Sequence, residues 1–221
     1  MVQIVPGILA TKEENFKRDI LRLMKSPSLK MGWLHVDFAD NVFVPNQTIK
    51  PSVVAKYETD LRKGAHIMVL HPIEWIDELV NAGFERIIFH LESKDNVVDT
   101  IKLIKSKGLE VGIAIKNKTS IDKLKPFVSI IDLVLIMSIE PGFQGRSFIP
   151  TTLDRIRDLK SRKWKIKIGV DGGVRDTNIK DIVKAGADFV TVGSYLLKGN
   201  LEENLERLWE ALRSDQIKLN E

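Results

Sequence analysis

Residues 66–91 read HIMVLHPIEWIDELVNAGFERIIFHL, and this stretch decides the fold. An apolar run of strand length at 66–70 gives way to a segment with helical spacing, which opens at Pro72 and stops before Gly83. Proline at the start and glycine just past the end are typical of helix boundaries. A second apolar run follows at 86–91, so the stretch predicts a strand–helix–strand unit.

The same alternation continues in both directions along the chain. Counting QIVPGIL as the first strand gives eight strand–helix units, with strands expected near 3–9, 33–38, 66–70, 86–91, 110–115, 131–138, 166–173 and 189–193. The first helix is expected to open with a capping box formed by Thr11 and Glu14. Alternating units with buried strands imply a parallel sheet, and eight of them predict a single-domain (β/α)8 TIM barrel over residues 1–221. A doubly wound open sheet is the structural alternative.

Composition narrows the class of protein. The 221 residues are 43% hydrophobic and 29% charged, with no apolar run of about 18 residues and no signal-peptide pattern at the start. The absence of cysteine excludes disulfides and thiolate metal sites, and we expect a cytoplasmic protein. The net charge is +4, but the basic residues are interleaved with acidic ones, which indicates solvated helix faces rather than a nucleic-acid surface.

Polar side chains stand at the ends of several predicted strands. Side chains alternate across a strand, so His35 and Asp37 share one face of the second strand. His66 lies on the third strand, and Asp171 ends the seventh. In a barrel the carboxyl ends of the strands meet, and two imidazoles with two carboxylates suit a divalent metal with open coordination positions.

Three glycine-containing loops follow the last three strands: EPGFQGRS at 140–147, DGGV at 171–174 and VGSY at 192–195. Glycine lets backbone N–H groups approach an anion closely, and TIM barrels commonly bind phosphate after strands seven and eight. Together these loops favour a phosphate monoester as the ligand.

The same motifs carry a family resemblance. HVDFADNVFVPN at 35–46, HIMVLHP at 66–72, FHLES at 89–93, IMSIEPGFQGRSFIP at 136–150, VDGGV at 170–174 and AGADFVTVGS at 185–194 resemble, in order, the motifs of ribulose-phosphate 3-epimerases. The resemblance implies one divalent ion (Zn, Fe, Mn or Co) on His35, Asp37, His66 and Asp171. It further implies that Asp37 and Asp171 are the two acid/base catalysts.

The implied reaction is epimerisation at C3 of D-ribulose 5-phosphate to D-xylulose 5-phosphate, a step of the pentose phosphate pathway, through a metal-stabilised enediolate. The resemblance also implies a phosphorylated ketose as partner, no nucleic acid or membrane, and a possible homo-oligomer. The substrate and phosphate contacts would fall on Gly7, His66, Met68, Met137, Gly142, Phe143, Gln144, Gly145, Arg146, Gly172, Gly173, Gly193 and Ser194.

The chain departs from the family pattern near the substrate. Gly7 stands where the family usually has a serine, Ala39 replaces a methionine, and Gln144 and Arg146 alter the loop after the sixth strand. We hypothesise that Arg146 pairs with the phosphate. Lys167, His71 and His90 have no assigned role, although His71 is expected in a loop and His90 in hydrogen bonding at a strand end.

Three other functions stay open at this point. The first is the same epimerisation on a six-carbon ketose phosphate such as D-allulose 6-phosphate. The second is a phosphosugar or nucleotide decarboxylase, whose Asp-x-Lys-x-x-Asp array is disfavoured by Ala39 at the lysine position. The third is a barrel without catalysis or one that binds nucleic acid.

Overall fold

The computed structural model describes residues 2–143 and 145–213, and its centre is a closed parallel barrel. The eight strands of the described chain pair in sequence order, and β8 closes the barrel on β1. They are β1 (Gln3–Leu9), β2 (Trp33–Ala39), β3 (Arg62–Met68), β4 (Arg86–His90), β5 (Glu110–Ile115), β6 (Leu133–Met137), β7 (Lys167–Asp171) and β8 (Phe189–Val192). The predicted (β/α)8 fold is confirmed and the open sheet is excluded.

Helices surround the barrel. The described residues form α1 (Glu13–Met24), α2 (Pro51–Val54), α3 (Ile73–Asn81), α4 (Val97–Ser106), α5 (Thr152–Ser161), α6 (Ile179–Ala185), α7 (Ser194–Leu197) and α8 (Leu201–Arg213). Short 3-10 helices lie at Pro27–Leu29 and, between β5 and β6, at Ile121–Leu124. None of the described helices is long and apolar enough to cross a membrane. Residues 1 and 214–221 lie outside the described chain, so the domain bounds 1–221 stay a prediction.

Two local predictions are wrong. Lys12, not Thr11, is the N-cap of α1, and no side chain caps that helix. Strand β3 begins at Arg62, four residues before the predicted start, because Arg62 pairs with Trp33 and Gly64 with His35 in the β2 ladder. The polar and glycine residues at 62–64 hide this pairing from a reading of hydrophobicity. His66 therefore lies towards the carboxyl end of β3, where functional groups of a barrel gather.

The alternation of side chains along the strands separates two apolar layers. A large cluster between the strands and the helices includes Val36 and Ile67, whereas a smaller cluster fills the barrel interior. Trp33 belongs to the interior cluster, so His35 and Asp37, on the same face of β2, also point inwards. The interior cluster comprises Val5, Trp33, Ile88, Ala114, Leu133, Leu135, Met137 and Phe189.

Two arginine side chains pack on Trp33 at the amino-terminal end of the barrel. The guanidinium of the buried Arg86 lies 3.6 Å from the centre of the Trp33 ring, and that of Arg62 lies 4.1 Å from it. Arg86 also donates two hydrogen bonds to Glu110 Oε2, at 2.9 and 2.5 Å. Lys167, at the start of β7, is exposed at this end. The polar site therefore lies at the opposite, carboxyl end of the strands.

Candidate active site

Four side chains meet at the carboxyl end of the barrel. His35 and Asp37 come from β2, His66 from β3 and Asp171 from the end of β7, and their ligand atoms all lie within 4.8 Å of one another. Asp37 Oδ1 lies 2.8 Å from His66 Nδ1 and 3.2 Å from His35 Nε2. Asp171 Oδ2 lies 3.6 Å and 3.9 Å from the same two nitrogens. The convergence predicted from strand parity is what the structure shows.

These distances test whether the residues fit a metal ion. Bonds of about 2.0–2.2 Å in a tetrahedral site place neighbouring ligand atoms roughly 3.3–3.6 Å apart. The four nitrogen–oxygen distances run from 2.8 to 3.9 Å and bracket that range. Two imidazoles and two carboxylates are also ligands that divalent transition metals accept. The donor set and its spacing therefore fit one divalent ion.

The pKa values of the two carboxyl groups, Asp37 and Asp171, are shifted in opposite directions. Burial raises the pKa of Asp171 to about 6, and the negative charge of Asp37 adds to this effect. Burial also acts on Asp37, but His35 and His66 outweigh it and hold the pKa of that carboxyl well below its usual range. Burial opposes protonation of His35, yet Asp37 and Asp171 raise its pKa overall. Before a metal binds, Asp171 is thus the carboxyl group that holds a proton more readily, and Asp37 is the one that stays ionised.

A second layer of polar contacts supports the two histidines. His66 Nε2 lies 3.0 Å from Nε2 of His90, whose Nδ1 lies 3.2 Å from Glu92 Oε2. On the other side, Thr191 Oγ1 lies 3.5 Å from His35 Nδ1. None of His90, Glu92 and Thr191 was assigned to the metal site from the sequence. The alternation of Arg86, Ile88 and His90 along β4 is the signal that places His90 inside the barrel.

A cavity of about 290 Å³ opens above the four side chains. Of the residues predicted to contact substrate or phosphate, it is lined by Met68, Met137, Gly142, Phe143, Gly145, Gly172, Gly173, Gly193 and Ser194. His66 and Gly7 lie outside the lining, and Gln144 falls outside the described residues. Most of the predicted substrate residues therefore share one cavity with Asp37 and Asp171.

The turn after β7 needs glycine. Gly172 and Gly173 have φ angles of +115° and +64°, a region that glycine enters without strain. A Cβ on Gly172 would lie 2.4 Å from Ile139 Cγ1, so the turn is also too crowded for a side chain. Ser138, which the sequence did not single out, lies with its Oγ 2.5 Å from the carbonyl oxygen of Gly172. These contacts hold the backbone that carries Asp171.

Arg146 does not line this cavity. Its guanidinium stands over the Phe143 ring at 5.2 Å, and its side chain is exposed. The basic residues in the lining are Arg175 and Lys198, which follow β7 and β8. Arg175 directly follows the DGGV loop in the sequence, whereas Lys198 lies three residues after VGSY, so only Arg175 had a sequence signal. His71 is in an exposed loop, as predicted, and pairs with Asp95 at 2.8 Å.

Comparison with known proteins connects this site to one family. The model of the ribulose-phosphate 3 epimerase family matches residues 3–197. A ribulose-phosphate 3-epimerase of Schizosaccharomyces pombe is 34% identical over 228 residues, covering 100% of this chain and 97% of the relative. A ribulose-phosphate 3-epimerase of Oryza sativa, named a cytoplasmic isoform, is 33% identical over 198 residues, covering 87% of this chain and 86% of the relative.

Solved structures agree on the fold. The crystal structure of 3-keto-L-gulonate-6-phosphate decarboxylase from Vibrio cholerae aligns with a TM-score of 0.71, covering 96% of this chain and 98% of the other. Its sequence identity is 13%, so this likeness concerns the fold alone. The family match over most of the chain and the intact four-ligand cluster agree with each other. The chain therefore belongs to the ribulose-phosphate 3-epimerase family of isomerases.

Proposed function

We propose that this protein epimerises D-ribulose 5-phosphate at C3, giving D-xylulose 5-phosphate, with Asp37 and Asp171 as the two acid/base groups. The observation that carries the proposal is the pairing of these two buried carboxyl groups with His35 and His66 beneath a cavity of about 290 Å³. The names of the relatives support the pentose phosphate substrate. The assignment to the pentose phosphate pathway is part of the proposal.

The four side chains would hold one divalent ion. When bound, such an ion supplies a Lewis acid that stabilises negative charge on the substrate oxygens during proton abstraction. Zn, Fe, Mn and Co all suit two imidazoles with carboxylates, so the native metal depends on availability. Asp37 and Asp171 both line the cavity, so the cluster of four side chains is accessible from the cavity.

Epimerisation requires removal of a proton from one side of C3 and delivery to the other. Asp37 and Asp171 come from strands separated by β1 and β8, so they reach the cavity from different parts of the wall. Before a metal binds, their pKa values are shifted in opposite directions, so the two carboxyl groups are not equivalent. In the reaction one of them acts as the base and the other delivers a proton. The roles are exchanged when the reaction runs in reverse.

The glycine loops would hold the phosphate. Gly172, Gly173 and Gly193 bring backbone to the cavity surface without side chains, and Ser194 begins α7 beside them. Arg175 and Lys198 add positive charge to the same lining, so they are better placed than Arg146 to balance the phosphate. The proposal that Arg146 binds phosphate loses weight, because its side chain stands over Phe143 outside the cavity.

One alternative keeps a supporting observation, and another has an observation against it. Gly7 and Ala39 are smaller than the serine and methionine of the family pattern, which keeps a six-carbon ketose phosphate as a second substrate candidate. The decarboxylase reaction needs a lysine two residues after Asp37, and the buried Ala39 occupies that position. A cytoplasmic location belongs to the proposal and draws on the cytoplasmic rice relative.

A coupled assay on ribulose 5-phosphate tests the proposal. Metal-stripped protein would receive Zn, Fe or Mn, alongside Asp37→Asn, Asp171→Asn and the control Asp95→Asn. Asp95 pairs with His71 and does not line the cavity. We expect metal-dependent turnover that falls by at least about 100-fold in the first two variants and is retained in the control. Turnover on allulose 6-phosphate, but not on the pentose, would assign the alternative substrate.

A further inference from the structure

His90 is a buried histidine that has no role in the proposed reaction. Its side chain ends β4, is fully buried, and reaches the remote nitrogen of a metal ligand instead of the cavity. The two Nε2 atoms of His66 and His90 are 3.0 Å apart, which is hydrogen-bond distance. Phe43, from the loop after β2, covers the His90 ring with a centroid distance of 4.9 Å.

The chemistry of imidazole fixes the direction of this bond. His66 offers Nδ1 to the cluster, and a nitrogen that binds a metal has no proton. Neutral imidazole has one N–H, so it must be on Nε2 of His66, which donates to Nε2 of His90. His90 then has its own proton on Nδ1 and donates it to Glu92 Oε2 at 3.2 Å.

Glu92 is held in place as the end of this chain. Its Oε1 accepts hydrogen bonds from the backbone N–H of Lys116, at 2.9 Å, and from the Thr119 hydroxyl. Burial acts against its charge, but the contacts to His90 and Thr119 lower the pKa of Glu92 to about 2. The carboxylate of Glu92, held by these contacts, is therefore the acceptor for the N–H of His90.

We propose that His90 and Glu92 are positioning residues that set the tautomer and orientation of His66 for metal binding. The inference rests on the metal site of the proposed function, and it assigns the pair no contact with substrate. Among the described residues, the counterpart for His35 Nδ1 is the longer 3.5 Å contact to Thr191 Oγ1. The His66 side of the site is therefore the more firmly held.

Nuclear magnetic resonance of the zinc-loaded wild-type protein tests the bond direction without any mutation. The chain has four histidines, so selective ¹⁵N-histidine labelling gives a spectrum that single variants can assign. We expect the proton of His66 on Nε2 and that of His90 on Nδ1. A His90 proton on Nε2 would overturn the proposal, because that tautomer cannot accept from His66.

Zinc affinity, measured by chelator competition, tests the consequence. His90→Leu removes both hydrogen bonds, whereas His90→Gln can accept with its amide oxygen and donate with its NH₂ group. Removing such outer partners weakens metal binding by about 10- to 100-fold. We expect that loss in His90→Leu and Zn²⁺ affinity within about threefold of wild type in His90→Gln. His71→Leu removes a histidine that pairs with a carboxylate away from the ligands, so it serves as the control.

The outcomes separate this inference from the proposed function. His90→Leu with wild-type zinc affinity, or His90→Gln as weak as His90→Leu, would overturn the positioning role. The cobalt-loaded proteins give a second readout, since altered ligand orientation changes the visible absorption of Co²⁺ in His90→Leu and not in the control. A wild-type protein that binds zinc but does not turn over ribulose 5-phosphate would contradict the proposed function and leave this test intact.

Discussion

Gly7→Ala adds one methyl group and is expected to lower the unfolding free energy of the protein. The added Cβ would lie 2.7 Å from Thr191 Cγ2, whereas carbon atoms in contact pack at about 3.5–4.0 Å. Strands β1 and β8 are fixed beside each other by the ladder in which Val5 pairs with Thr191. The Thr191 side chain must therefore move, which takes its hydroxyl away from His35 Nδ1. Overpacking of this kind costs about 1–3 kcal/mol of unfolding free energy.

The variant Thr191→Ser tests whether the clash with the Thr191 methyl group causes the loss of stability in Gly7→Ala. Serine keeps the hydroxyl near His35 and removes the methyl group that the new Cβ would strike. Alone it should cost about 1 kcal/mol, close to the value of one buried methyl group. In the Thr191→Ser background, Gly7→Ala should cost less than about 0.5 kcal/mol, so the two changes couple by about 1–2 kcal/mol.

Urea unfolding of the metal-free variants measures this coupling. Gly64→Ala is a matched control, because a Cβ on that strand glycine would meet its nearest atoms at 3.6 Å, an ordinary contact. The control should leave stability nearly unchanged, and Gly7→Ala should also weaken zinc binding. Free-energy changes of Gly7→Ala and Thr191→Ser that add within about 0.5 kcal/mol in the double variant would refute the reasoning.

Three further predictions concern the site and its support. Burial lowers the pKa of His90 to about 4, so between pH 6.5 and 4 the unfolded chain binds a proton at His90 and the folded chain does not. Metal-free wild type should therefore lose on the order of 3 kcal/mol more unfolding free energy than His90→Gln as the pH falls through this range. Equal pH slopes of the unfolding free energy in urea would contradict this. Zinc at 100 times its dissociation constant should raise the unfolding free energy by about 2.7 kcal/mol, and chelation should remove that increment in wild type but change nothing in Asp37→Asn. Arg86→Lys should lower stability by about 1–2 kcal/mol with unchanged KM, because lysine reproduces neither the stack on Trp33 nor the paired bonds to Glu110; a changed KM would place Arg86 in the site.

Strand periodicity was enough to predict that the four candidate ligands converge. His35 and Asp37 share one face of β2 by alternation, and the ends of parallel strands in a barrel converge, so His66 and Asp171 follow from the fold. The same reasoning failed at β3, where Arg62–Gly64 is polar but pairs with β2. It also failed at Thr11, because a capping pattern of residue types does not determine where the first helical turn begins.

The contacts of His90 with His66 and of Thr191 with His35 could not be predicted from the sequence, for a different reason. His66 pairs with Ile88 in the β3–β4 ladder, so the approach of His90 to His66 depends on the stagger of two strands and on side-chain rotamers. Thr191 meets Gly7 and His35 across three strands, and its place depends on the closure of β8 on β1. The exclusion of Arg146 from the cavity and the inclusion of Lys198 depend on loop conformations that composition does not encode.

The most direct test of the two-aspartate account is the origin of the C3 hydrogen in the product. Ribulose 5-phosphate would be converted in D₂O by metal-loaded enzyme, with the product analysed by mass spectrometry at low conversion. If Asp37 and Asp171 act as separate acid and base, xylulose 5-phosphate should have deuterium at C3, because the delivering group exchanges with solvent. A product that keeps the original C3 hydrogen would show return of the same proton by one group and would contradict the account.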